Sequence, residues 1–339
     1  LNTALASIPS YIMKVQFDLV IFHTTFLSKR SDFAAFRKLL SRSELLKQIK
    51  ATKIALPQDE FMNTKPLCDF ISEFGIDYVF SVSPESEWKK IYIDVDFERV
   101  KFYNILTGYL DFETIDKINK LAENYSERTI DIGYRAWRSA PWLGRHGYLK
   151  KIIADVFNKE ASETGLKVDI STNNEDTFYG DEWYKFLLKC KYTIGVEGGA
   201  GILDRDGAIK AKTDMYMKEN PNATYEEIED ACFAGLDGTL NLFTISPRHL
   251  EACATRTCQI LVKGRYNGIL VPMKHYIEIN PDLSNIDAVL NMVKEDRLRA
   301  EITDNAYKDI VESNNYTYQS MVRFILNKSG TDIDKNPKR

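Results

Sequence analysis

Along the first half of the chain, short apolar runs alternate with stretches whose apolar positions recur at helical spacing. Residues 15–23 (VQFDLVIFH) are rich in β-formers and stop at Thr24-Thr25, after which 32–49 carry a helical period. Residues 52–56 form the next buried run and lead into Pro57-Gln58-Asp59-Glu60. The spacing predicts a helix over 65–74 stopped by Gly75, a strand over 77–83 that ends in hydroxyls, and a further strand over 100–106. Alternation of this kind predicts a parallel sheet covered by helices on both faces. Ligands of such sheets sit beyond the carboxyl ends of the strands, where His23, Asp59 and Ser83 fall.

Residues 111–128 read as a charged helical connector, and the rhythm then restarts. Strands are expected at 129–133, 166–170, 192–196 and 259–262, and helices at 148–163, 182–190, 247–255, 286–294 and 296–312. Ser246 is the expected N-cap of the 247–255 helix, with Pro247 at its first position. Residues 204–237 interrupt the pattern with two helices, 210–218 and 224–232, the second opened by a Thr224–Glu227 capping box. This insertion is either a cover over a cleft or a packed embellishment. The expected organisation is α/β, with one doubly wound domain over 1–128 that is short of its first strand. A second domain follows over 129–330 with the insertion inside it, then a tail over 331–339.

The 339 residues suffice for two such domains, and 44% apolar with 28% charged residues is a globular balance. A net charge of −4 provides no general field for nucleic acid, so any polyanion site must be local. Cys68, Cys190, Cys232, Cys253 and Cys258 lack CxxC spacing, which excludes a zinc ribbon and a disulfide framework and fits a reducing cytoplasm. No apolar run is long enough to span a membrane. The chain starts at Leu1 with neither a methionine nor a basic leader, so a longer polypeptide with further domains is expected.

Two segments carry candidate chemistry. Gly198, Gly199 and Gly201 follow a predicted strand but fit neither GxGxxG nor the Walker spacing, so they read as a tight turn. Glu197, an acid at the strand end beside that turn, suits a hydroxyl or a phosphate-bearing loop. In Ser246-Pro247-Arg248-His249-Leu250-Glu251-Ala252, the helix start offers free N–H groups to an anion, Arg248 adds a fork suited to a diphosphate, and Glu251 can accept from paired ribose hydroxyls. A plain surface Arg–Glu pair is the alternative. Arg135 and Arg138 are the second candidates for neutralising a diphosphate and, with Arg145 and His146, form a basic cluster that suits an anion-facing loop; Trp137 and Trp142 beside it suit either stacking or packing. For a general base the candidates are His23 and Asp59, with a structural histidine as the rival reading of His23. Asp94-Val95-Asp96 and Asp204-Arg205-Asp206 match the letters DxD, yet two carboxylates alone seldom hold a divalent ion, so no metal is expected.

Read in order, SPRHLEA, the strand CQILV, the Asn267-Gly268 turn, the strand HYIEI, the helix around Asp287 and the closing Asn315-Tyr316-Thr317-Tyr318 resemble the carboxyl-terminal domain of GT-B glycosyltransferases. The likeness is nearest to their spore-maturation, CgeB-like branch and covers residues 129–326. It implies two Rossmann-like domains facing across a cleft and metal-independent transfer of a sugar from a nucleotide-sugar donor to a glycan or small-molecule hydroxyl, with no cofactor. It further implies that Arg248 holds the diphosphate, that Glu251 holds the ribose, and that Tyr266, Asn267 and Gly268 lie against the phosphates or the sugar. The chain departs from that pattern at Phe243, where many retaining members have an acid, and at Asn315 or Tyr316, where histidine is usual. Alternatives from other classes are a nucleotide-sugar epimerase of the same architecture and a non-catalytic sugar-nucleotide or glycan-binding module.

Overall fold

The computed structural model describes residues 6–125 and 127–330, and the expected tail over 331–339 lies outside them. Strands β1 (Leu19–Phe22), β2 (Thr52–Ala55), β3 (Tyr78–Ser81) and β4 (Lys101–Asn104) pair in that order, each neighbour parallel. A second parallel sheet uses β5 (Ile130–Arg135), β6 (Val168–Ser171), β7 (Cys190–Gly195), β10 (Cys258–Val262) and β11 (Ile277–Ile279), in the order β11-β10-β7-β5-β6. Between β7 and β10 in the chain, β8 (Gly198–Ala200) and β9 (Leu242–Thr244) form a two-stranded ribbon that the apolar pattern does not reveal, because each strand is only three residues long. The α/β class on parallel sheets is as expected. No helix among the described residues is long and apolar enough to cross a membrane.

The compact units divide the chain elsewhere than at residue 128. The first unit takes the described residues up to Ile105, Ala200–Leu242 and those from Val322; the second takes Leu106–Gly199 and Phe243–Met321. Packing explains each reassignment. Ile118, on the connector helix Phe112–Ala122, and Leu110 share a core with Leu250, Tyr266 and Ile310, so the connector belongs to the second unit. The insertion is tied to the first: Asn63 N–H donates to the Asp204 carbonyl at 2.7 Å, Lys65 N–H to that of Arg205 at 2.9 Å, and Leu240 and Leu242 enter the first core. It is a packed part of that unit. The carboxyl-terminal helix Tyr318–Lys328 sets Phe324 edge-on against Phe80 and Tyr103.

Local boundaries follow the caps. Asp32 accepts from Ala35 N–H and opens the helix Phe33–Arg42, and the Thr224–Glu227 capping box opens Tyr225–Cys232 as its spacing predicts.

Candidate functional site

Beyond the carboxyl ends of β5 and β7, within the second unit, lies a cavity of about 760 Å³. Its walls come from the end of β5 and the stretch that follows it, from the helix Asp181–Lys189 and the residues before it, and from the start of the helix Pro247–Ala254. That helix is fixed by its own first turn. Ser246 N–H and Oγ both meet His249 Nδ1, at 3.1 and 2.9 Å, while Pro247 fills the position whose N–H would have no partner.

Arg248 stands exposed on this first turn. Its guanidinium lies 5.2 Å from the centre of the Trp183 ring and donates to the Arg135 carbonyl. Glu251, one turn on, accepts from Trp183 Nε1–H at 2.8 Å. Burial pushes the Glu251 carboxyl up, against the pull of the indole N–H and the Arg248 charge. The Arg248–Glu251 pair is thus gathered around one indole at a cavity wall, which a plain surface pair would not be. Arg138, Trp137, Trp142 and Gly198 line the same cavity.

The other expected donor-site residues do different work. Arg135 also lines the cavity, but its guanidinium is spent on the protein. Nε donates to the Asp176 carbonyl (3.0 Å), Nη1 to the carbonyls of Tyr134 (2.9 Å) and Asp169 (2.8 Å), and Nη2 to the Asp169 carboxylate (2.7 Å). Phe178 and Phe186 flank it at 5.0 and 4.5 Å. With four N–H groups committed it is a strut of the wall and not the diphosphate cation expected from its position.

Glu197, Gly199, Tyr266, Asn267 and Gly268 do not line the cavity. The buried Glu197 carboxylate accepts from the N–H groups of Tyr266 (2.7 Å) and Arg265 (3.2 Å). The loop comes so close that a Cβ on Gly264 would lie 2.5 Å from Glu197 Oε2. Glu197 therefore does meet a loop, but through its backbone, leaving nothing for a phosphate. Asn267, at φ 55°, accepts on Oδ1 from Ile245 N–H (2.7 Å) and Thr244 Oγ1 (2.9 Å), bracing the entry to the Arg248 helix from behind. Tyr266 is fully buried and donates to the Val262 carbonyl at 2.6 Å. Gly199 takes φ 114°, as the tight-turn reading requires.

His23 and Asp59 lie in the first unit. His23 caps the short helix Thr24–Leu27: its Nδ1 accepts from Thr25 N–H at 3.2 Å. An amide N–H can only donate, so Nδ1 is the acceptor of this bond and is occupied by the cap. Asp59 is exposed at φ 51°, its carbonyl accepts from Arg30 at 2.7 Å, and its carboxylate lies within electrostatic reach of the Arg30 guanidinium. Of the DxD look-alikes, Asp94 pairs with Arg205, and Asp204 accepts from the N–H groups of Gly207 (3.0 Å) and Lys210 (2.9 Å) at a helix start.

Sequence reasoning missed Trp183, Tyr134, Thr193, Gln259 and the cavity-facing side of His249. Glu60, which the sequence marks only by its place beside Asp59, is a buried hub. Its carboxylate accepts from Ser81 Oγ (2.5 Å), Ser83 Oγ (3.1 Å), Val82 N–H (2.9 Å), Ser83 N–H (3.2 Å) and Tyr92 Oη. The only signal in the sequence was an acid next to a predicted strand followed by a second strand ending in hydroxyls.

No family model matches the chain, and no curated protein matches it in sequence. Solved structures do match it. Anabaena HepE in complex with UDP and glucose is 11% identical, aligned over 93% of this chain and 78% of that one, with a TM-score of 0.50. HepE in complex with UDP is 12% identical over 95% and 82%, also at a TM-score of 0.50. At such identity the likeness is one of fold. The chain has the α/β fold of the GT-B glycosyltransferases, two Rossmann-like domains built on parallel sheets.

Proposed function

We propose that the chain is a glycosyltransferase that takes a nucleoside-diphosphate sugar in the cavity of the second unit and passes the sugar to a hydroxyl of a glycan or small molecule. The observation that carries this reading is the placement of Arg248 and Glu251 on successive turns of one helix at the cavity wall, beside the strand ends. Arg248 and the helix N-terminus face the diphosphate, whose charge grows as the sugar leaves, and Glu251 faces the ribose diol. That HepE has been captured with UDP supports the same reading. The order of motifs from SPRHLEA onward supports assigning the chain to the CgeB-like branch. We assign the acceptor base to Asp59, which is exposed and whose carboxylate makes no hydrogen bond among the described residues, while His23 is a cap. The reaction needs no metal, because Arg248 supplies the countercharge and the Asp94 and Asp204 carboxylates are engaged elsewhere. Five buried free cysteines suit the reducing cytoplasm.

The test is the shift in melting temperature with UDP, GDP, dTDP and CMP at millimolar concentration, followed by transfer of a labelled sugar in the presence of EDTA. At least one nucleotide should raise the melting temperature, and Glu251→Ala should weaken that nucleotide about tenfold without lowering the melting temperature of the free protein. Silence from all four nucleotides would remove the donor site. Turnover of the sugar nucleotide without acceptor would point to an epimerase, and binding without any turnover to a binding module.

A further inference from the structure

Three polar side chains meet at the floor of the cavity and leave one atom each unspent. Thr193 on β7 pairs in register with Gln259 on β10, so both project from the same face of the sheet, and His249 comes down on them from the helix above. They are 8%, 2% and 4% exposed. Gln259 Nε2 donates to the His249 carbonyl at 3.2 Å, which assigns the amide and leaves Oε1 as a spare acceptor. His249 Nδ1 accepts from Ser246 N–H, which puts the ring proton on Nε2. Among the described residues, His249 Nε2, Gln259 Oε1 and Thr193 Oγ1 have no hydrogen-bond partner.

A glycine keeps this floor open. A Cβ at Gly195 would lie 3.5 Å from His249 Nε2 and 3.1 Å from Leu261 Cδ2, so its absence leaves the space in front of the imidazole clear. The imidazole is held rigid, capped at Nδ1 and packed edge-on against Tyr266 with ring centroids 5.2 Å apart. Burial lowers the His249 pKa to about 4, so it enters this space as a neutral donor at ordinary pH. Beside the polar atoms stand Leu187 and Leu261, which are apolar.

Three side chains that are themselves almost wholly buried each present a polar atom without a protein partner among the described residues to one open space, where a ligand can meet it. We infer that His249 Nε2–H, Gln259 Oε1 and Thr193 Oγ1 form a neutral subsite that reads the hydrogen-bonding edge of the donor's nucleobase. The inference rests on the nucleotide-sugar reading and deepens it. A phosphate does not suit a floor whose three groups carry no charge, and Arg248 stands at the wall for it. A sugar needs polar partners all around its ring, whereas a base is flat, apolar on its faces and polar along an edge, which suits a polar floor between leucines.

Two variants test this without dismantling the helix start. In His249→Asn, the amide Oδ1 takes the position of Nδ1 and can still accept from Ser246 N–H, but the Nε2–H donor is gone. Gly195→Ala places a methyl in front of the imidazole at a position whose backbone tolerates a side chain. Calorimetric titration with UDP, GDP and CDP, and with inorganic pyrophosphate as a base-free probe, should show each variant binding the preferred nucleotide about tenfold more weakly, with the preference among the three flattened and pyrophosphate unchanged. Equal losses for nucleotide and pyrophosphate would overturn the assignment of the floor to the base, as would variants that bind every nucleotide like the parent. If the parent protein binds none of the probes, it is the donor-site reading itself that fails.

Discussion

Beyond β3 in the first unit, the buried Glu60 carboxylate collects the hydroxyls of Ser81, Ser83 and Tyr92 and the N–H groups of Val82 and Ser83. Beyond β5 and β7 in the second unit, the equivalent region of a parallel sheet is an open cavity onto which His249, Gln259 and Thr193 each present an atom with no partner among the described residues. The carboxyl ends of parallel strands present backbone N–H groups and loop side chains that favour an anion or a polar ligand. The first unit meets that demand with its own side chain; in the second the space stays open. Two sheets of one design therefore divide into a self-satisfied end and a receptive end.

The strongest way to break this contrast is to remove the internal anion. Glu60→Ala strands five buried donors and should cost about 3–5 kcal/mol in chemical unfolding, or prevent folding altogether, with Glu60→Gln costing less. Near-native stability of the alanine variant would show that Glu60 does not plug the first unit.

The second test compares the two arginines of the open end. Arg135→Ala should lower stability by about 2–3 kcal/mol, since Asp169 and three carbonyls lose their donor. Arg248→Ala, at an exposed position, should stay within about 0.5 kcal/mol of the parent in unfolding while UDP binding falls about tenfold. A reversed pattern would exchange their roles.

A third test uses pH. Because His249 is depressed from 6.5 to about 4, the unfolded chain binds a proton across that window that the folded chain refuses. Its contribution is complete above pH 6.5 and is lost as pH falls toward 4, at about 1.4 kcal/mol per unit. The melting temperature should drop over this range, and less steeply in His249→Asn.

The smallest effect concerns the first unit's surface. His23→Ala should cost about 0.5–1 kcal/mol through the lost cap and leave sugar transfer unchanged, whereas Asp59→Asn should lower transfer and leave stability unchanged. Lost transfer in His23→Ala would restore the histidine as the base.

Much of the fold was legible because buried parallel strands are written as short apolar runs. The run at 52–56 became β2, and the 65–74 pattern became the helix Thr64–Glu73. Of the site, the SPRHLEA helix was legible through Ser246, Pro247 and the Arg248–Glu251 spacing, all of which are local chemistry. Arg135 misled because a basic residue after a strand looks the same whether its guanidinium faces a ligand or Asp169, 34 positions away. Trp183 gave no signal, since its hydrogen bond to Glu251 spans 68 positions.

The sequence by itself determined the two parallel sheets, the capped helix with Arg248 and Glu251, and the lack of a membrane-spanning apolar run. These depend on period, cap chemistry and composition, which act over a few residues. Only the tertiary structure decided that the connector joins the second unit and the insertion the first. It also decided that Glu60 fills one sheet end and that His249, Gln259 and Thr193 converge at the other. Those outcomes depend on which donors remain unsatisfied once distant segments have packed, a question that no local pattern can pose.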